Sequence, residues 1–265
     1  MKNLTKGNPV KLMLEFALPV CLGNIFQLFY SLADTRIVGS VLGETSLAAV
    51  GATTAVSTLL IGFLQGLTNG FAIVAAQSFG SGKTERLRKA AAGTLLLGTL
   101  TTLAITVLAL AGLEGFLKIL NVPETLYAEA KGYIQIVLAG MMVTMLYNAC
   151  AGILRAVGDT VAPLLFLMCA ALLNVGLDIL FMAVVPLGVQ GAALGTVLAQ
   201  LVSVVLSIGY MWKKYPVFHL KRKDFRIGKA MIKQMYSSGL SMGMMMSLVF
   251  FGTLALQCAI NTFGN

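Results

Sequence analysis

Seven apolar runs dominate this chain, and each is long enough to cross a membrane. They cover residues 12–38, 47–79, 90–113, 127–154, 161–185, 189–212 and 231–260. A helix needs about 20 predominantly apolar residues to span the hydrocarbon, whereas a barrel strand needs only about ten. Unpaired backbone groups cannot face lipid, so runs of this length must be helical. Composition agrees: the chain is 58% hydrophobic and 11% charged, with a mean hydropathy of +0.88, against about 25% charged residues in an ordinary soluble domain. The expected fold class is an all-α polytopic membrane protein.

Basic residues set the expected topology. With the N-terminus in the cytoplasm, 16 of the 19 lysines and arginines fall on the cytoplasmic side, and only Arg36, Lys118 and Lys131 fall outside. The positive-inside rule selects that orientation, and the excess of positive charge is then a topological signal. The basic residues are spread over separate loops, which excludes a nucleic-acid partner. The densest cluster, Lys213 to Lys233, reads as a solvated linker that also meets anionic membrane lipids. Six spans precede it and a seventh begins after it, so a second copy would start in the same orientation, as parallel transporter repeats do. The expected organisation is a six-helix lobe at 1–212, a basic linker at 213–230 and the first helix of a second lobe at 231–265. The chain thus reads as half of a longer transporter plus one helix.

Several motifs carry no chemistry. Gly80-Ser81-Gly82-Lys83-Thr84 resembles the tail of a P-loop, but Gln77 stands where the first glycine is required and no strand precedes it. Asn3-Leu4-Thr5 matches a glycosylation acceptor on the side expected to be cytoplasmic. Cys21, Cys150, Cys169 and Cys258 lie in apolar runs without metal-ligand spacing and read as packing residues. No HExxH, no GxSxG and no histidine within a span supports an enzyme. Gly62, Gly66 and Gly70 recur every four residues and form a small-residue packing seam. Met242, Met244, Met245 and Met246 could coat an adaptable binding surface or simply face lipid.

Polar groups inside the spans are more informative, because ionisable residues there cost from about 2.5 kcal/mol upward and usually mark ion or substrate pathways. At about 1.5 Å rise per residue, Asp34 lies roughly 6 Å below the outer boundary, Tyr133 roughly 9 Å, and Asp178 and Thr196 roughly 10 Å. Asn174 and Asp178, four residues apart, share a helix face. These five groups on four helices occupy one outer layer, whereas Asn148 belongs to the opposite end. Asp34 has an ordinary alternative in pairing with Arg36. Asp178 has none, since no basic residue lies in the outer halves of the neighbouring spans, so it must be protonated, bind a cation or face water.

A family resemblance joins these residues. Gly152-Ile153-Leu154-Arg155-Ala156-Val157-Gly158-Asp159-Thr160-Val161-Ala162-Pro163 resembles the signature between the fourth and fifth helices of multidrug and toxic compound extrusion (MATE) transporters. Ala76-Gln77 with Gly80 and Gly82, Asn174 with Asp178, Gly188 through Gly191-Ala192-Ala193 to Thr196, and Pro19 with Asp34 are further matches. The likeness covers nearly the whole chain and is nearest to the bacterial DNA-damage-inducible branch. It implies half of a twelve-helix exporter of cationic or amphipathic compounds, driven by entering Na⁺ or H⁺ and needing no other cofactor. It further implies a cation site at Asp34, Asn174, Asp178 and Thr196 with Tyr133 as a hydrogen-bonding neighbour, Gln27 in the drug cavity, and the bacterial cytoplasmic membrane as location. A hard cation favours such carboxylate, amide and hydroxyl oxygens. Two other readings are a lipid-linked oligosaccharide flippase of related architecture, whose cavity would be basic, and a non-transporting scaffold.

Overall fold

The computed structural model describes residues 8–120 and 122–263, with side chains through Val249 except at Pro9 and Ile119. Lys2, Lys6, the Asn3 acceptor and the Cys258 side chain lie outside the described parts. Eight α-helices follow in order: α1 (Pro9–Leu42), α2 (Glu44–Gly80), α3 (Thr84–Ala111), α4 (Leu113–Ile119), α5 (Glu124–Ala156), α6 (Val161–Ile179), α7 (Val189–Lys214) and α8 (Lys229–Phe263). Among the described residues no strand occurs. Among the described residues, six helices are long and apolar enough to cross a membrane: α1, α2, α3, α5, α7 and α6 with its extension to Val184.

Local chemistry sets the boundaries. Asn8 caps α1 by accepting from the Val10 amide at 3.0 Å, and Pro9 occupies the first turn, where its missing N–H costs nothing. Pro19 sits within α1, yet the helix runs through it unbroken. The Gly80–Thr84 segment is a tight turn closed by the Gly82 amide on Phe79 O at 3.0 Å, which leaves nothing of a P-loop. The short α4, not anticipated from the sequence, follows Gly112 and is tied to α5 by a 2.7 Å Lys131–Glu114 ion pair. Beyond Ile179, α6 widens into a π-turn at Leu180–Val184.

The core is built from α2, α3, α5 and α8 around Leu64, Leu67, Phe71, Ile134, Met141 and Met235, all essentially inaccessible. Several threonines within it return their hydroxyls to their own helix, as Thr68 does to Leu64 O at 2.9 Å and Thr94 to Ala90 O at 3.0 Å; the hydroxyls of Thr102 and Thr106 in α3 are buried without a partner. The glycine seam of α2 meets backbone: a Cβ on Gly66 would lie 2.5 Å from Met242 O, and one on Gly70 would strike Ser238 and Gly239. The seam therefore seats α8. Of the α8 methionines, Met244 and Met245 point outward at 62% and 46% exposure and line no cavity described here. Leucines and phenylalanines of α1 also face out, as Leu14, Leu28 and Phe29 do, the pattern of a surface made for lipid or another lobe.

The linker is bound to the end of the bundle that carries the 81–83 and 157–160 turns. Asp224 accepts from Arg88 Nη2 at 2.6 Å and from the Lys221 amide at 2.7 Å. These two donors, the amide foremost, hold its carboxyl below the ordinary carboxylate range. Asp159 Oδ2 accepts from Tyr215 at 2.6 Å, Tyr210 at 2.8 Å and Lys214 at 3.2 Å. Burial works against the charge of Asp159, but those donors and the Ala162 amide outweigh it and keep its carboxyl low.

Candidate cation site and adjoining cleft

Four helices deliver the predicted oxygen cluster to one place. Asn174 and Asp178, one turn apart on α6, are both fully buried. The Asn174 amide donates to Asp178 Oδ1 at 3.0 Å and to Thr196 Oγ1 of α7 at 3.3 Å. Asp34 of α1 brings its carboxyl within interaction range of Asp178, and Tyr133 of α5 lies close enough to feel both charges. Arg36 is exposed, and no ion pair joins it to Asp34 among the described residues, so Asp34 belongs to the cluster.

Two members escape a reading of depth alone. Tyr30 donates to Thr196 Oγ1 at 3.2 Å; its signal is the four-residue spacing from Asp34 on one helix face. Gly195 makes the space, since a Cβ there would lie 2.5 Å from Asp178 Oδ1. The π-turn begins two residues past Asp178, and Gly191 lets α7 approach it, because a Cβ would meet Phe181 Cβ and O at 2.9 Å. Such π-turns are frequent at functional sites.

The site's chemistry is that of an acceptor cage. Asp34 Oδ1, Asn174 Oδ1 and Asp178 Oδ2 are all buried without a hydrogen-bond partner. Two carboxylates sharing a dry site repel one another, and an unpaired buried acceptor costs about 1–3 kcal/mol, more when charged. A cation or a proton would remove both penalties.

From this cluster a narrow cleft runs toward the basic end. Gln27, Tyr30, Tyr147 and Gln200 line its upper part, and Asn24, Gln65, Asn148 and Arg155 join Gln27 and Tyr147 below. Gln27 is therefore placed at the cleft. Asn148 is indeed remote from the oxygen cluster but shares the cleft's other end. Arg155, which the charge count places at the cytoplasmic end, lies in the last turn of α5 and lines the cleft, so the cleft does contain one basic side chain.

Residues 19–180, more than half of the chain, match the MatE family. The chain belongs to that family. Similar relatives include the "Probable multidrug resistance protein YpnP" of Bacillus subtilis (strain 168), 27% identical over 264 residues, covering 99% of this chain and 59% of that protein. The "Probable multidrug resistance protein YoeA" of the same organism is 30% identical, covering 94% and 56%. A MATE crystal structure in the straight conformation superposes with a TM-score of 0.87 at 26% identity, over 99% of this chain and 58% of that one. This MatE chain thus spans about half to three fifths of the length of the relatives it matches. It is a membrane protein with the fold of one MATE lobe plus a further helix, and MATE proteins are transporters, not enzymes.

Proposed function

We propose that this chain is the amino-terminal lobe of an antiporter that exports cationic or amphipathic compounds across the bacterial cytoplasmic membrane in exchange for Na⁺ or H⁺. The observation that carries the reading is the three partnerless buried oxygens of Asp34, Asn174 and Asp178. They lie in a cage that holds no basic side chain and connects to a polar cleft. The N-terminus is cytoplasmic, so the basic linker faces the cytoplasm and the oxygen cluster lies in the outer leaflet. The second lobe, beginning at α8, supplies the rest of the central cavity.

In this reading Asp178 and Asp34 hold the ion, Asn174 and Thr196 contribute neutral oxygens, Tyr30 fixes the hydroxyl of Thr196, and Tyr133 helps exclude water. The ion relieves the repulsion of the carboxylates and draws α1, α6 and α7 together; cargo in the adjoining cleft favours the alternative arrangement. A coupling of about 1–3 kcal/mol between the two suffices for exchange. Inward ion movement supplies about 2.3 kcal/mol per charge per 100 mV.

The test uses the full-length transporter in vesicles with an imposed Na⁺ or H⁺ gradient. Asp178→Asn abolishes gradient-driven efflux of a cationic dye while the protein remains folded. Unimpaired efflux by that variant sinks the assigned site, and the absence of any ion-dependent flux in the wild type favours a scaffold.

A further inference from the structure

The cleft below the oxygen cluster carries a single formal charge, and its sign is positive. Its polar lining is Asn24, Gln27, Gln65, Tyr147, Asn148, Arg155 and Thr160, with no acid among them. Arg155 Nη2 donates to Asn69 Oδ1 at 3.0 Å. None of the ion pairs among the described residues includes it, and the titratable group that faces it is the Tyr147 hydroxyl.

The natural partner would be Asp159, four residues on and so one turn away on a continuing helix. The chain instead leaves the helix after Ala156 and turns at Gly158, whose φ of 84° suits glycine. Asp159 is thereby directed to Tyr210, Lys214 and Tyr215. The nearby carboxylate is committed elsewhere, and the guanidinium is left facing the cleft with most of its five N–H donors unassigned. The α5 carboxyl-terminal dipole favours a cation there, though typically by only about 0.3–1 kcal/mol. A guanidinium taken out of water without a carboxylate remains costly.

We infer that Arg155, oriented by Asn69, is an anion-recognising subsite of the cleft, taking the carboxylate, sulfonate or phosphate monoester group of an amphipathic cargo. The planar fork of arginine matches such oxyanions in bidentate fashion, while Leu164 and Leu167 on the same wall suit the cargo's apolar body. The free volume of this whole part of the cleft is about 40 Å³, so any cargo larger than a small oxyanion requires the cleft to widen. The inference rests on reading the cleft as the cargo path. It adds that the cargo has an anionic group at the end remote from the ion site.

The experiment is an equilibrium binding titration, by fluorescence anisotropy, on full-length transporter in phosphatidylcholine nanodiscs without any ion gradient. The probes are a rhodamine with a free carboxylate and its methyl ester. Wild type binds the free acid more tightly than the ester. Arg155→Gln lowers that acid-to-ester affinity ratio by about tenfold to a hundredfold, the range of a charged hydrogen bond. Arg155→Lys retains part of the ratio, and Asn69→Ala lowers it several-fold, so these two carry the test if Arg155→Gln fails to fold. No saturable binding of the acid to wild type, or a ratio that none of the variants changes, overturns the inference. Displacement of the acid by phosphatidylglycerol added to the nanodisc overturns its assignment to cargo and gives the site to a lipid headgroup. A ratio that shifts as expected in a protein that drives no efflux of either probe refutes the antiporter and leaves the anion subsite standing.

Discussion

Replacing Gly195 with alanine perturbs the ion site by a single methyl group and removes none of the proposed ligand side chains. The added Cβ would lie 2.5 Å from Asp178 Oδ1, so reaching the 3.4 Å of ordinary contact requires a movement of about 0.9 Å. Helix α6 has little room to absorb it, because Leu177 Cβ and the Asp178 amide are themselves at 3.4 and 3.5 Å from that methyl. The carboxylate must therefore swing, which breaks its 3.0 Å bond from Asn174. A hydrogen bond to a charged group contributes about 1.5–3 kcal/mol, so apparent affinity for the coupling ion should fall roughly tenfold to a hundredfold. The assay is the Na⁺ concentration, or the pH, that gives half-maximal dye efflux by the full-length protein in vesicles. Gly209→Ala on the same helix is the control, since a Cβ there meets nothing within 4 Å. If the midpoints of the two variants agree within about twofold, less than half the energy of one such bond, then Asp178 is not held where the ion binds and the reasoning fails.

Two further outcomes follow from the same geometry. Tyr30→Phe removes only the hydroxyl that donates to Thr196 at 3.2 Å; a neutral hydrogen bond contributes about 1 kcal/mol, so the midpoint should move by roughly fivefold, and an unchanged midpoint would detach Tyr30 from the site. Asp159 and Asp224 both have carboxyls held below the ordinary range, so the stability they lend is present above the usual aspartate value of about 3.9 and is lost as pH falls through their lower folded values. Cleavage of residues 215–228 by an acid-active protease should accelerate below about pH 4 relative to cleavage elsewhere, and a pH-independent ratio would contradict the proposed anchoring.

How far the sequence could be read depends on which geometric quantity each inference needed. Depth along a straight helix follows from the rise per residue, so Asp34, Tyr133, Asn174, Asp178 and Thr196 could be placed in one layer before any contact was known. Rotation about the helix axis and the identity of neighbouring helices do not follow from rise. Tyr30 and Gly195 were missed for that reason, although Tyr30 shares the face of Asp34. Gly195 carries no side chain to suggest a role, and only the carboxylate opposite it gives it one. The partner of the Gly66–Gly70 face likewise depends on tertiary packing. Counting along the chain places Arg155 at the basic end; that it lines the cleft, bonded to Asn69 while Gly158 directs Asp159 elsewhere, is a local arrangement that charge counting does not register. The helix α4 escaped because its seven residues are too few to show a periodic apolar face.

Seating α8 on the glycine seam has a consequence for how the protein is made. Met235 is wholly inaccessible within the core, its sulfur lies against Gly93, and Tyr236 packs edge-on to Phe71 at 5.7 Å while sharing a 2.9 Å hydrogen bond with Thr101. The six preceding spans can all be threaded into the bilayer and still leave the glycine face of α2 and the adjoining face of α3 uncovered. A nascent chain halted before α8 emerges would hold inserted but incompletely packed helices. Completion of the first bundle during synthesis is thus timed by a helix encoded beyond the linker, and the connection between the two regions is a point of assembly as well as of covalent joining.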